Sequence, residues 1–331
     1  DVHAGPGCVI GTSLMSRNKI SPILLGGDIG CGVSAVKLAG KPKIALEKLD
    51  KFIRSEIPYG MNIRDKAIAD RAETISSLIF DQLRCRNINR DKALRSIGTL
   101  GGGNHFIELG KDPEEGFYWL TVHSGSRYFG QRVCHYYKYH AVRNCEDNKA
   151  RDYKYLDGST PYMERYLTCV DACQRFSRLN HQLILNKLGE FVIRGFSGKP
   201  QDYIGTMHNY IDLEHMIVRK GSVSAQAGER LLIPFNMRDG VAVCEAKGNP
   251  EWNYSAPHGA GRIMSRTKAK NELSLEEYKS VMAGIYTTSV NEETLDEAPM
   301  AYKSLEDIID VIKESVDIID IMKPIYNFKA N

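Results

Sequence analysis

Apolar residues recur at helical spacing in two long stretches of the chain. Over residues 64–84, RDKAIADRAETISSLIFDQLR, Ile68, Ala72, Ile75, Ile79 and Leu83 fall on one stripe and predict a helix. From about Tyr162 to Leu188 a longer helix is predicted, with Leu167, Val170, Cys173, Phe176, Ile184 and Leu188 on its inner face. Elsewhere the pattern is that of strands. LLGGDIGCGVSAVKL reads as strand, glycine-rich turn, strand, and GFYWLTVHSGSR as a strand that ends in a loop at Gly125. Further strands are expected near 190–196, 230–234 and 241–246. The C-terminal third returns to helix. Ser274-x-x-Glu277 and Ser304-x-x-Asp307 have the capping-box pattern, and the second opens an acidic helix that Pro324 ends. Helices and strands mix without βαβ alternation, which predicts a single α+β domain over residues 1–331 with its chemistry on glycine-rich loops.

Composition narrows this picture. A chain of 331 residues that is 42% hydrophobic can bury one large core or two modest ones. The net charge of +3 is mildly basic, too little to imply a nucleic-acid partner by itself. Apolar runs are short, so no membrane-spanning helix is expected, and no secretory signal opens the chain. Eight cysteines without repeated CxxC pairs suit a reducing cytoplasm better than a disulfide framework. The chain opens on Asp1 rather than Met, so a short preceding segment is expected.

Of nine histidines, four stand beside glycines and polar partners: His105 in GGGNHFIEL, His123 in VHSGSR, His208 in MHNYIDLE and His258 in PHGAGRIMSR. His135, His140, His181 and His215 lack such settings and read as packed or solvated, and His3 is undecided. Asp28 and Cys31 share the tight turn GGDIGCG. With His105, His123 and His208 they make one thiolate, one carboxylate and three imidazoles, a set that suits one or two transition-metal ions. Ligand softness favours zinc and admits manganese or cobalt. A two-ion site clamps phosphates and stabilises attacking and leaving oxygens.

GTLGGGNHFIEL lacks the ending of a phosphate-binding P-loop, yet its glycines let backbone amides approach an anion, with Asn104 as a further donor and Glu108 as an outer partner. An ordinary turn is the competing reading. In PHGAGRIMSR, Ser255 and Pro257 suit a helix start. A helix over 258–266 would put His258, Arg262 and Arg266 on one face, the arginines forked onto phosphate beside a neutral imidazole. Gly259 and Gly261 oppose that helix by roughly 1 kcal/mol each. The residues alone leave His258 open as ligand, proton carrier, nucleophile or packing.

Taken in order, DVHAGPGCVIGTSL, GGDIGCGVSAV, GTLGGGNHFIEL, VHSGSR, HNYIDLEH, RKGSVSA, AKGNPEWNYSAPHGAGRIMSR, DEAPMAYK and MKPIYNFKA resemble the RtcB family of RNA-splicing ligases. The resemblance implies a mixed α/β fold with β-sheets flanked by helices. It implies GTP-dependent joining of an RNA 3′-phosphate or 2′,3′-cyclic phosphate to a 5′-hydroxyl, with two manganese ions, in tRNA splicing or RNA repair. By resemblance Cys31 bridges the ions, Asp28 and His105 complete one site, and His123 and His208 the other. His258 matches the histidine that takes GMP, and Arg127, Arg262 and Arg266 match arginines that act on the RNA ends. Asn104 looks like a nucleotide-phosphate contact. Glu108 and Asp1 match acidic positions, Glu108 near the guanine nucleotide. Gly261, Tyr302 and Lys329 match nucleotide-pocket positions.

Two features depart from the family pattern. After IP the chain reads FNMRDG where the family has Gly-Ser-Met-Gly, so Asn236 stands where a serine is expected near the base. Asparagine both donates and accepts, so GTP is kept as the expectation. The chain is also short for the family, which points to a divergent, repair-type member. Two other readings compete. A dinuclear metal phosphoesterase or nuclease would use the same ligands without His258 or Lys329. A non-catalytic RNA-end binding protein would not need five metal-type ligands, His258 and three arginines together.

Overall fold

A computed structural model describes residues 2–5, 7–38, 45–68, 71, 75–81, 83, 85, 88–147, 153–193 and 200–330. Its centre is a seven-stranded antiparallel sheet. In spatial order the strands are Arg230–Pro234, Val241–Ala246, Val316–Lys329, Phe106–Lys111, Tyr118–Ser124, Gly32–Leu38 and Pro200–Met207. Strand alternation sorts their residues onto two faces. Ile107, Leu109, Leu120, Val122, Tyr326 and Phe328 pack against Ile184, Leu188 and Val192 of a 33-residue helix, Pro161–Ile193. The opposite face carries Val33, Ala35, Phe106, Trp119, Val243 and Met322. A second helical layer, Arg127–Asn144, closes on the long helix through a ring cluster of Phe80, Phe129 and Phe176. The domain is therefore α+β, as the mixed pattern predicts.

Antiparallel pairing creates the site. Lys329 lies opposite Phe106, Phe106 opposite His123, His123 opposite Val33, and Gly32 opposite Met207. His105 and Cys31 therefore precede strands, and His208 follows one, at the same end of the sheet.

The strands at 230–234 and 241–246 and the long helix form where periodicity puts them. Ser274 caps its helix by accepting from the amides of Glu276 and Glu277, and Ser304 caps by accepting from Asp307. Five expectations fail. Leu24 and Leu25, read as a strand before the glycine-rich turn, end a short helix, Pro22–Leu25, with proline in its first turn. Residues 64–68 are not helical, because Arg64 is held to the carbonyls of Ile97 and Gly98. The described helical part of that stretch includes a π turn, Ser76–Phe80, and much of the remainder lies outside the described residues. Residues 190–193 extend the long helix, because Val192 continues the Ile184–Leu188 stripe into the core. The rest of 190–196 lies outside the described residues. Ser255–Pro257 is a strand paired with Ser222–Ser224, and helix begins only at Arg266, capped by Ser265. Gly259 leaves no room for a side chain against the Pro234 carbonyl, and Gly261 has φ +75°, so 258–264 is loop. The acidic helix ends at Ile312, and Pro324 lies inside the last strand, where the register shifts between Pro324 and Tyr326. That irregularity absorbs the missing proline N–H.

Among the described residues no helix is long and apolar enough to cross a membrane, and no two cysteines are joined.

Candidate metal centre and adjoining pocket

Five donors converge at the sheet end. They fall into two triads, Asp28–Cys31–His105 and Cys31–His123–His208, that share the Cys31 sulfur. Cys31 Sγ lies 3.5 Å from His105 Nε2 and 3.3 Å from His123 Nε2. His105 Nε2 lies 3.2 Å from Asp28 Oδ2, and His123 Nε2 lies 3.2 Å from His208 Nε2. The far nitrogens are anchored: His105 Nδ1 donates to the Leu100 carbonyl at 2.8 Å and His123 Nδ1 to the Asn104 carbonyl at 3.1 Å. Those bonds leave both Nε2 atoms as bare lone pairs aimed inward, the tautomer a metal ligand needs.

Burial holds His123 and His208 well below the usual imidazole range, so both rings are neutral at pH 7. Burial, then the Asp28 carboxylate, pushes the Cys31 thiol well above its ordinary value. Facing lone pairs and a carboxylate beside a thiol repel one another without a cation, and a dication would reverse the balance. The donor set therefore fits divalent-cation binding, with Cys31 common to both triads.

The long helix clamps the loops that carry these donors. Asn180 Oδ1 accepts from the amides of Gly98 (2.7 Å) and Thr99 (3.2 Å), while its Nδ2 donates to Thr99 O, Ser124 Oγ and Gly125 O. His181 accepts from Ser34 Oγ at Nδ1 and donates from Nε2 to the Ser124 carbonyl. The packed reading of His181 suits this buried place.

Beside the centre opens a pocket of about 130 Å³. His258 stands at the junction, its ring 4.7 Å from that of His208 and 6.4 Å from that of His3. Burial lowers His258 to about 4, leaving a neutral ring at pH 7. The other wall is cationic and is organised by Glu297, a residue sequence reasoning gave no role. Its buried carboxylate meets Lys329 Nζ at 2.7 Å, the Tyr302 hydroxyl at 2.7 Å and Arg266 Nη1, with Arg262 Nη1 at 3.6 Å. Burial would raise its pKa, but the Lys329 and Arg266 charges prevail and pull it to about 2. Arg266 also reaches Asp296, and Arg262 donates to the Asp296 carbonyl and the Tyr302 hydroxyl. The two arginines thus reach the pocket wall already engaged, not splayed along a helix face.

The remaining expected residues take varied places. Asn104 lines the pocket, its carbonyl taking Lys329 Nζ at 3.2 Å. Asn236 lines it too, but its side chain is spent on a local turn, accepting from Arg238 N and Asp239 N and donating to Asp239. Gly261 and Tyr302 complete the loop wall. Glu108 and Asn327 face each other across paired strands, Asn327 Nδ2 donating to Glu108 Oε2 at 2.9 Å. Arg127 is apart from the pocket lining, packed across Gly101 with Nη1 3.3 Å from His105 Nδ1. Asp1 lies outside the described residues. Glu297 and Asn327 sit inside the motifs DEAPMAYK and MKPIYNFKA. The available signal was strand period: Asn327 and Lys329, two apart, share a face.

Fold and site together define an α+β protein with a thiol–imidazole–carboxylate cluster opening onto a cationic pocket. Residues 78–330 match the family described as tRNA-splicing ligase RtcB. The chain is 31% identical over 364 residues to RNA-splicing ligase RtcB of Escherichia coli strain K12, spanning 100% of this chain and 88% of that protein. It is 32% identical over 365 residues to RNA-splicing ligase RtcB1 of another Escherichia coli strain, with the same coverage. To RNA-splicing ligase RtcB2 of that strain it is 25% identical over 364 residues, spanning 99% and 86%. The chain belongs to the RtcB family.

Proposed function

We propose that this chain is a cytoplasmic RNA ligase that joins a 3′-phosphate or 2′,3′-cyclic phosphate end to a 5′-hydroxyl end, using GTP and two manganese ions, in tRNA splicing or RNA repair. The observation that carries the reading is the separation of roles at the sheet end. Five donors make up both triads without His258, which stands as a neutral imidazole between them and the pocket. A neutral ring nitrogen is nucleophilic, and nothing in the metal set requires it.

Asp28, Cys31, His105, His123 and His208 would hold the two ions, which supply charge neutralisation at phosphate oxygens when bound. His258 attacks the α-phosphorus of GTP, forming a P–N bond and expelling pyrophosphate. A cyclic phosphate end is first opened by water to a 3′-phosphate. That phosphate displaces the histidine, giving an RNA end capped through a pyrophosphate to guanosine. The 5′-hydroxyl then attacks the RNA phosphate and expels GMP. Lys329, Arg262 and Arg266 supply positive charge along the pocket wall, and Glu297 keeps their geometry fixed.

The test is incubation with manganese and α-labelled GTP. An acid-labile, alkali-stable protein adduct is expected on the wild type and none on His258→Ala. Labelling that survives His258→Ala removes the nucleophile assignment. Absence of label with phosphate release from RNA ends establishes the phosphoesterase instead.

A further inference from the structure

Two buried polar atoms on the pocket floor have no partner: Glu108 Oε1 and Asn327 Oδ1. Both residues line the pocket, and they are 2% and 1% exposed. They are opposite residues of adjacent strands, so their side chains stand together on one sheet face. Their mutual bond uses the other halves of the two groups, Asn327 Nδ2 and Glu108 Oε2. Leaving a buried acceptor unmade costs about 1–3 kcal/mol. A pair of such atoms on neighbouring residues that line one cavity is the mark of a site completed by its ligand.

The cavity walls say what kind of ligand. Phe106, Phe235, Met237 and Val241 give the same pocket apolar surface. Flat apolar walls with a few polar atoms at the floor suit a nucleobase held edge-on to the polar pair. Asn236 lines the same pocket, yet both ends of its amide are committed to the turn at Arg238 and Asp239. It has little left with which to read a base.

We infer that Asn327 is a specificity-determining residue: its Oδ1 accepts from the 2-amino group of guanine while Glu108 accepts from N1–H. This rests on the GTP reading given above and adds to it the atom that distinguishes guanine from other purines. Guanine presents N1–H and the 2-amino group side by side, two donors for two acceptors. Hypoxanthine keeps N1–H and lacks the amine. Adenine presents an acceptor at N1 and only a C–H at position 2, so it would suit Glu108 only as a protonated acid and leaves Asn327 without a donor. The N1–H donor arriving from guanine favours the charged carboxylate, as does the Lys329 charge nearby.

The experiment is equilibrium binding of GMP, IMP and AMP, none of which has a pyrophosphate to lose, to the full chain by calorimetry. Wild type is expected to bind GMP about 10- to 100-fold tighter than IMP, the effect of one buried acceptor left unpaired. In Asn327→Val the GMP:IMP ratio is expected to fall to within about 3-fold of unity, because the 2-amino group loses its partner in both states. Any loss of Glu108 alignment weakens both nucleotides together and leaves their ratio alone. Asn327→Ser, smaller and still polar, is measured the same way, so a misfolded valine variant does not end the test. GMP binding with an unchanged GMP:IMP ratio in the variants overturns this inference and leaves the GTP reading standing. AMP binding tighter than GMP overturns it as well, and shows Glu108 acting as a donor. Failure of wild type to bind any of the three overturns both.

Discussion

Asn180 is the residue whose removal should most clearly separate scaffold from chemistry. It is fully buried in the long helix, and its amide makes five bonds to the loops that carry His105 and follow His123. In Asn180→Ala the Thr99 carbonyl keeps a bond from Ser124 Oγ at 3.4 Å, so the acceptor side loses less than the donor side. The amides of Gly98 and Thr99 lose their acceptor outright. At about 1–3 kcal/mol for each buried unmade donor, and with a small cavity added, the cost is about 3–5 kcal/mol. For a chain of 331 residues the unfolding entropy is about 0.7 kcal/mol per kelvin, so the melting temperature should fall by about 4–7 °C. The Leu100 carbonyl that orients His105 belongs to the same loop, so manganese affinity should fall about 10- to 100-fold, the usual effect of losing an outer support. Urea denaturation and manganese titration check both figures. Asn144→Ala is the control: its amide bonds the His140 carbonyl on an exposed helix turn and should change stability by less than about 0.5 kcal/mol. If Asn180→Ala stays within about 1 kcal/mol of wild type and binds manganese unchanged, the clamp argument is wrong.

Cys31→Ser should abolish binding of both ions, because Cys31 belongs to both triads, whereas His208→Ala should spare one. Stoichiometry by elemental analysis, with the thiolate charge-transfer band of the cobalt-loaded protein as a second readout, decides this. Two ions retained by Cys31→Ser would remove the bridging assignment. Glu108 gives a pH signature. Burial pushes it up to about 8 from an ordinary 4.5, so between those values the folded chain holds a proton that the unfolded chain has released. Stability should therefore fall as pH rises from about 4.5 to about 8, by at most about 1.4 kcal/mol per pH unit from this group. In Glu108→Gln that component vanishes, so the variant should gain on the wild type as pH rises. Urea denaturation at about pH 5, 6.5 and 8 measures it, and parallel curves for the two proteins would refute it.

The donor cluster was legible in the sequence because most of its members announce themselves locally. Asp28, Cys31, His105 and His123 all stand one to three residues from a glycine, at the end of a stretch with strand alternation. Once consecutive strands pair antiparallel, such ends pool at one edge of the sheet without further instruction. Strands with clean alternation and helices with a long stripe were legible for the same reason, since period depends on near neighbours. The clamp was not, although its signal was present. Gln174, Ser177, Asn180 and His181 fall on the buried stripe of the long helix. Polar residues at core positions are bonded, and their partners here are backbone groups of loops and strands from 37 to 147 residues away.

The helix expected over 258–266 and the arginines aligned along its face fail for one common cause. Spacing of four assigns His258, Arg262 and Arg266 a shared direction only while the backbone stays helical, and Gly259 and Gly261 remove that condition. The three still meet in one pocket, because a second constraint replaces the helix. A guanidinium losing water must find its counter-charge, and both arginines find Asp296 or Glu297, some thirty residues on. Lys329 reaches the same Glu297 from the last strand. The direction of a half-buried cation is thus set by its anion, not by its own segment. Local spacing can nominate such residues for a site and cannot say what they face, which is why a buried Glu297 with no motif of its own decides the shape of the pocket.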